Sequence, residues 1–482
     1  MFLISTIVIN MNVSSSYIRT DYDPLVDVEV TVEIQRIRSF EKFDRQLLFK
    51  EEIDRNSEPD FFIKVLINEK EFESDVWYNT KYLYDINWKA TLDVPDEEEI
   101  VNIKIQLWDY HDDGQFKDRL CDISGDSGKD SDSYDVEIQY SIKTGHWTGD
   151  DFLDHDISNS DPSGYGRLCG CDDGTIYVKD RDCELWFNIY QNDYDNDGIP
   201  YWAEENLYGS DPTIMDYGDS DGDGIPLQWE WKWGFNPYIP EEHSTLDHDA
   251  DSLTNIEEFL TSEWFSDPFR KDVFVELDIM DNGPNGEKCE FPQGSKELIN
   301  TAFNRQNIVF HLDDGIMGGH DIIPFDEKIE DYEELISIYN NYFLHGNQNT
   351  WRRGVFHYGV VVYSIEGPAG FIFRANAYQI TCKGHERKST SIWLNRDEVF
   401  ASAYMHELGH TLQVGGRHIP GHDRDSMFPY QLGWWLNRPY KSCMNYGYMY
   451  TMVDYSDGSR PSPDIDDWSN LDFDHFEREW HQ

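Results

Sequence analysis

Three short aspartate loops constrain this chain most, because each concentrates more negative charge than a tight turn can hold without a cation. Asp193, Asp195 and Asp197 with Gly198, then Asp219, Asp221 and Asp223 with Gly224, then Asp247, Asp249 and Asp251 with Ser252, repeat one pattern. A glutamate follows at the twelfth position of each loop: Glu204, Glu230 and Glu258. Alternate carboxylates, a tight turn and a closing glutamate supply the six to eight oxygens that calcium takes. The near-regular spacing predicts three repeats over residues 191–262. Each loop should lead into an acidic, Trp-rich helix and end in a turn such as Gly209-Ser210-Asp211-Pro212 or Gly234-Phe235-Asn236-Pro237. Ser252 stands where the turn favours glycine, so the third loop should bind more weakly.

The repeats separate two regions of different patterning, giving about three domains. Residues 26–37, 60–67, 88–92, 101–108 and 134–142 alternate apolar and polar side chains, which predicts an all-β sandwich over 21–190. Residues 263–482 open on a predicted strand at 272–278, with helical patterning at 295–304 and 330–342 and strands at 355–363 and 370–381. That order predicts an α+β domain. Residues 1–20 contain Phe2 to Ile9, apolar like the core of a signal peptide but short and with no basic residue ahead of it.

The chemistry concentrates in His406-Glu407-Leu408-Gly409-His410. On a helix, residues four apart share a face, so both imidazoles reach one zinc ion while Glu407 projects beside it as a general base. A helix is predicted from about 396 to 414, opened by an Asn395/Glu398 capping box and stopped by Gly415-Gly416. Downstream, Ser442-Cys443-Met444-Asn445-Tyr446 offers an apolar floor in Met444 and a phenol in Tyr446.

Over roughly 265–482 these two motifs, in this order, resemble the metzincins, the zinc metalloproteases with a long zinc-binding helix motif and a later methionine turn. The resemblance implies that Met444 underlies the zinc. From the astacin-like and serralysin-like branches it implies that Tyr446 ligates zinc and stabilises the oxyanion. The family motif continues with a glycine three residues after the second histidine and a histidine or aspartate six after it. This chain has Gln413 and Gly416 there. A catalytic zinc takes three protein ligands, and His418 is the first choice for the third, with His422 and Asp423 next. Substrate would lie along a strand edge, at 355–363 or 370–381.

Two further resemblances concern calcium. The aspartate repeats resemble thrombospondin type 3 and related EF-hand-like repeats of secreted proteins. Residues 57–65 and 107–113 resemble the calcium-and-lipid-binding β-sandwich of the protein kinase C conserved type. That likeness implies calcium held by Asp54, Glu58, Asp109, Asp112 and Asp118, with His111 replacing an aspartate, and calcium-dependent contact with a lipid surface. A purely structural sandwich is the alternative.

With 94 acidic and 39 basic residues the formal charge is −55. Nucleic acid and acidic membrane are poor partners for such a surface unless bound calcium inverts the charge locally. Calcium-dependent loops work best where calcium is abundant, which points outside the cell or to its surface. Of seven cysteines, Cys169, Cys171 and Cys183 cluster, and Cys289 with Cys382 could join two segments of the last domain. The expectation is a secreted, calcium-stabilised zinc endopeptidase acting on proteins or peptides. The competing class is a non-catalytic calcium-binding adhesion or surface protein with a degenerate protease-like domain; a zinc hydrolase of another amide or ester bond is the third option.

Overall fold

The computed structural model describes residues 22–39, 58–84, 86–111, 117–124, 136–150, 166–170, 182–216, 218–391, 394–414, 421–423 and 428–473. Alternating patterning near the N-terminus becomes β1 (Glu29–Ser39), β2 (Phe61–Ile67), β3 (Lys70–Glu73), β4 (Tyr82–Leu83), β5 (Trp88–Asp93) and β6 (Ile100–Asp109). It continues as β7 (Arg119–Leu120), β8 (Val136–Ser141), β9 (Trp147–Gly149), β10 (Arg167–Cys169) and β11 (Cys183–Gln191). One sheet runs β10-β11-β1-β4, with β5 also on β1; the other runs β3-β2-β6-β8-β9, with β7 on β6. Their inner faces meet in a core that includes Val30, Val32 and Ile34 from β1 and Val101, Ile103, Ile105 and Leu107 from β6. Each such side chain contributes about 1.5–3 kcal/mol on burial, which fixes the register, since a one-residue slip would turn the row to solvent.

One charged group is enclosed at the C-terminal side of this sandwich. Glu184 on β11 accepts from Arg167 Nε at 2.5 Å and pairs with Arg38 at 2.7 Å. Burial pushes its carboxyl up, but Arg38 and Arg167 outweigh that and bring it down to about 2. Arg167 also donates to Asn304 Oδ1 at 3.0 Å, which ties the sandwich to the C-terminal unit. Removing one partner of a buried pair leaves the other charge uncompensated, at a cost of about 3–5 kcal/mol. Glu184→Gln should therefore lower the unfolding free energy in urea by that amount. Because the folded-state value is depressed, the contribution is full above the ordinary glutamate range and disappears as pH falls through about 2. The wild-type–mutant difference should shrink in acid, and a constant difference would assign the cost to packing.

The repeat unit carries three short helices: α1 (Tyr201–Ala203), prolonged by a π-turn over Glu204–Tyr208, α2 (Leu227–Trp233) and α3 (Asn255–Thr261). The third departs from expectation, since it holds no tryptophan and packs Ile256 and Phe259 against Trp229, Trp233, Phe235 and Phe269.

In the last unit, β12 (Asp272–Met280), β13 (Val309–Asp313), β14 (Ile322–Ile323), β15 (Phe356–Val362), β16 (Gly370–Arg374) and β17 (Ala377–Thr381) form a mixed sheet in the order β13-β12-β15-β17-β16, with β14 beside β12. Helices α4 (Gln293–Asn304), α5 (Tyr332–Ile338), α6 (Arg352–Val355), α7 (Cys382–Ser391) and α8 (Arg396–Thr411) accompany it. The predicted strand at 370–381 is two: β16 folds back antiparallel on β17, while the other described pairings are parallel. β15 is interior and β16 is the edge. The long helix ends at Thr411 rather than 414, because Gln413 takes a positive φ of 51°. Asn395 caps it by accepting from Asp397 N at 2.8 Å.

Cysteine placement splits the sequence reading. Cys289 Sγ and Cys382 Sγ lie 2.6 Å apart, but Cys183 contacts Cys121. Cys171 lies outside the described residues. Among those residues, no helix is long and apolar enough to cross a membrane.

Candidate metal centres

Helix α8 is buried along most of its length, with Val399, Phe400, Ala403, Tyr404 and Leu408 in the core, so its histidines are held rather than free to reorient. His406 Nδ1 lies 2.9 Å from the Cys443 carbonyl, which can only accept, so Nδ1 carries the proton and Nε2 presents its lone pair. Burial pushes the His406 imidazole below its ordinary value, against the pull of Asp423, favouring the neutral form that ligates metals. His410 Nε2 stands 3.3 Å from His406 Nε2. Asp423 faces both rings, its Oδ1 3.2 Å from His406 Nε2 and its Oδ2 3.4 Å from His410 Nε2. Zinc bonds of about 2.0–2.1 Å in a tetrahedron set ligand atoms roughly 3.3–3.4 Å apart, a spacing that the two imidazole nitrogens meet at 3.3 Å and that Asp423 approaches with a different oxygen toward each ring.

His422 lies against the same group. Its Nδ1 is 3.1 Å from Asp423 Oδ2, and its buried Nε2 has no hydrogen-bond partner among the described residues. Burial alone would raise the Asp423 carboxyl; contacts with His406, His410 and His422 instead hold it far below the carboxylate range. His418, the first choice from sequence, lies outside the described residues. The spacing argument that favoured it followed the chain; residues 421–423 lie by α8, with His422 paired to Asn445 and Asp423 N–H donating to Met444 O at 3.2 Å. Asp423→Ala should lose the metal of this centre, read by atomic emission, while His418→Ala keeps it. The reverse result would restore the sequence choice.

Glu407 is 4% exposed, and its carboxylate lies within 4.8 Å of the His406 and His410 nitrogens. Burial, with Asp423 adding to it, pushes its carboxyl well above the usual range. A Cβ at Gly370 would collide with this carboxylate, so edge strand β16 passes directly beside it. Met444 is fully buried under α8: a Cβ at Gly409 would sit 2.7 Å from its sulfur, which explains the glycine inside the motif. The Tyr446 ring centre is 5.6 Å from that of His406. Neither Gly370 nor the Cys443 carbonyl had a sequence signal, because each reaches the centre from a different element.

The aspartate loops share one backbone. The first aspartate accepts from the fourth and sixth backbone N–H groups: Asp219 from Gly222 at 2.6 Å and Gly224 at 2.8 Å, Asp247 from Ala250 at 2.8 Å and Ser252 at 3.0 Å. Asp193 does the same with Asn196 and Gly198. Ser252 takes the positive φ that Gly198 and Gly224 take, 74° against 92° and 106°, a conformation that costs a residue with a Cβ. Glu204, Glu230 and Glu258 are buried as expected of closing ligands. Burial, then the charges of Asp197 and Asp195, push Glu204 up to about 8; burial with its neighbours pushes Asp251 up to about 7. Asp193, Asp195 and Asp197 form one group able to hold a cation; Asp197, Glu204 and Asp216 form another, the last residue missed in sequence because it precedes the next loop.

In the sandwich, Asp109 is buried and accepts from Asp60 N at 3.1 Å, while Asp118 accepts from His111 N at 3.1 Å. Glu58 is exposed, and Asp54 and Asp112 lie outside the described residues.

No family model matches the chain, and no curated protein matches it. Solved structures similar to part of it include a C2 domain, at 12% identity over 34% of this chain and 98% of that one, TM-score 0.18. Another is the first C2 domain of plant Extended Synaptotagmin 1, at 11% identity over 34% and 94%, TM-score 0.17. Human GIVD cytosolic phospholipase A2 aligns at 12% identity over 34% of this chain but 16% of its own length, TM-score 0.19. Likenesses this distant concern a β-sandwich over about a third of the chain and lend no weight to an activity.

Proposed function

We propose that the chain is a calcium-stabilised zinc endopeptidase of metzincin-like build, acting outside the cell or at its surface. The observation that carries the reading is the convergence of the His406 and His410 nitrogens with the Asp423 carboxylate at 3.2–3.4 Å, with the Glu407 carboxylate beside it and next to the sheet edge. When bound, zinc polarises the scissile carbonyl and lowers the pKa of water to about 7. Substrate adds as a further strand along β16, which aligns the scissile bond with Glu407. Glu407 takes a proton from the attacking water at its carboxylate and returns it to the leaving amine nitrogen. Tyr446 donates to the developing oxyanion, and Met444 closes the floor. Calcium in the aspartate loops holds the repeat unit folded.

The test is hydrolysis of an unstructured protein such as casein in calcium, after removal and return of zinc. Activity that disappears and reappears with zinc is expected. A protein that holds zinc yet cleaves neither casein nor a peptide library would sink the reading in favour of a non-catalytic surface protein.

A further inference from the structure

The second aspartate loop is built differently from its neighbours. In every repeat, the aspartate at the fifth loop position accepts a backbone N–H from a segment that follows: Asp197 from Asp216 at 3.2 Å, Asp223 from Glu241 at 2.9 Å, Asp251 from Asp272 at 2.7 Å. In the first and third repeats the donor residue is itself an aspartate. In the second, Glu241 is exposed, and the buried side chain of this segment is His243.

His243 Nε2 stands 3.2 Å from Asp223 Oδ2 and 3.5 Å from Glu230 Oε1. The three residues form a group able to hold a metal ion. Glu230 is 0% and His243 1% exposed, and apart from these approaches to one another neither Glu230 oxygen nor His243 Nε2 has a hydrogen-bond partner among the described residues. Leaving such groups unsatisfied costs several kcal/mol, so their convergence points to an ion between them. The imidazole cannot swing away, because Trp229 and Phe235 meet it edge-on at 6.2 and 5.2 Å.

We infer that the second loop is a mixed nitrogen–oxygen site, in which His243 joins Asp223 and Glu230 on a divalent transition ion of the zinc or cobalt class rather than calcium. Calcium takes oxygen donors, whereas imidazole suits transition ions. The other ring nitrogen supports the assignment. Nδ1 lies 2.9 Å from the Asn255 amide, whose buried Oδ1 lacks a partner in its present orientation. Amide oxygen and nitrogen are interchangeable by rotation; turned over, Oδ1 accepts from Nδ1–H and fixes the Nε2 lone pair on the metal. Asn255 begins α3, so the ion would join the second repeat to the third.

The experiment uses the full chain, stripped of metal and returned to about 10 mM calcium, above the ~10⁻⁴–10⁻³ M at which weak all-oxygen loops fill. Cobalt(II) is then titrated and counted by atomic emission. Wild type should hold two cobalt ions against calcium, His410→Gln one and His243→Gln one. The loss in His410→Gln reports the helix centre and the loss in His243→Gln reports the loop, so the two readings fail separately. As a check independent of the folding of the His243 variant, manganese(II) in His406→Gln/His410→Gln should show nitrogen hyperfine coupling. Cobalt binding unchanged in His243→Gln, displacement of the second ion by calcium, or manganese without nitrogen coupling would each overturn the assignment and leave His243 as a protonated counter-ion.

Discussion

Glu407→Ala should abolish casein hydrolysis, by about 10²–10⁴-fold as for loss of a positioned general base, with metal content unchanged. The size of the effect follows from location. Glu407 is 4% exposed, so no other solvent-borne base easily takes its place, and its carboxylate sits beside the two imidazole nitrogens and the β16 edge. Glu407→Gln keeps the shape and removes the proton acceptor, so it should match the alanine variant in rate. If both variants bind metal and cleave like wild type, the proposed chemistry is wrong. If both lose the metal, Glu407 is a ligand and the base must be sought elsewhere.

Removing calcium should produce the largest change in stability. Glu258 is buried and Asp249 partly so, and desolvation, then neighbouring carboxylates, push both well above the ordinary range. A cation supplies the compensating charge. A site at about 100 times its Kd stabilises by about 2.7 kcal/mol, so two or three such sites rival the ~5–15 kcal/mol net stability of a domain. Chelation should lower the melting temperature and expose residues 191–272 to hydrogen exchange, with magnesium failing to restore protection. The effect should reach the sheet that carries the histidine helix. Asp272, the first residue of β12, donates to Asp251 and lies 2.5 Å from His311 Nε2 on β13. Calcium removal should thus also loosen β12 and β13. Melting and exchange that ignore the chelator would reduce the loops to solvated acidic turns.

Local signals were readable where one residue's environment is set by its near neighbours. Alternation placed β1, β2, β5, β6 and β8 to within a few residues, because a strand buried on one face has no freedom in its period. The hairpin of β16 and β17 was not readable, since both strands are rich in β-branched and aromatic residues and nothing in composition marks the reversal between them. The closing ligand of the helix centre stayed open among His418, His422 and Asp423 for a related reason. His418, first by distance along the chain, lies outside the described residues, whereas Asp423, held beside Met444 and Asn445, stands 3.2–3.4 Å from the histidines.

By itself, the sequence determined the two imidazoles on one helical face, the glutamate beside them, the repeated loops and the alternating strands, because these depend on helical and strand periods and on spacing within a dozen residues. Tertiary structure decided what joins those pieces: Asp423 at the histidines, Gly370 at Glu407, Asp216, His243 and Asp272 at the loops, and β16 as the edge. Those contacts bring together residues from separate elements, and which elements meet is set by the packing of the whole core.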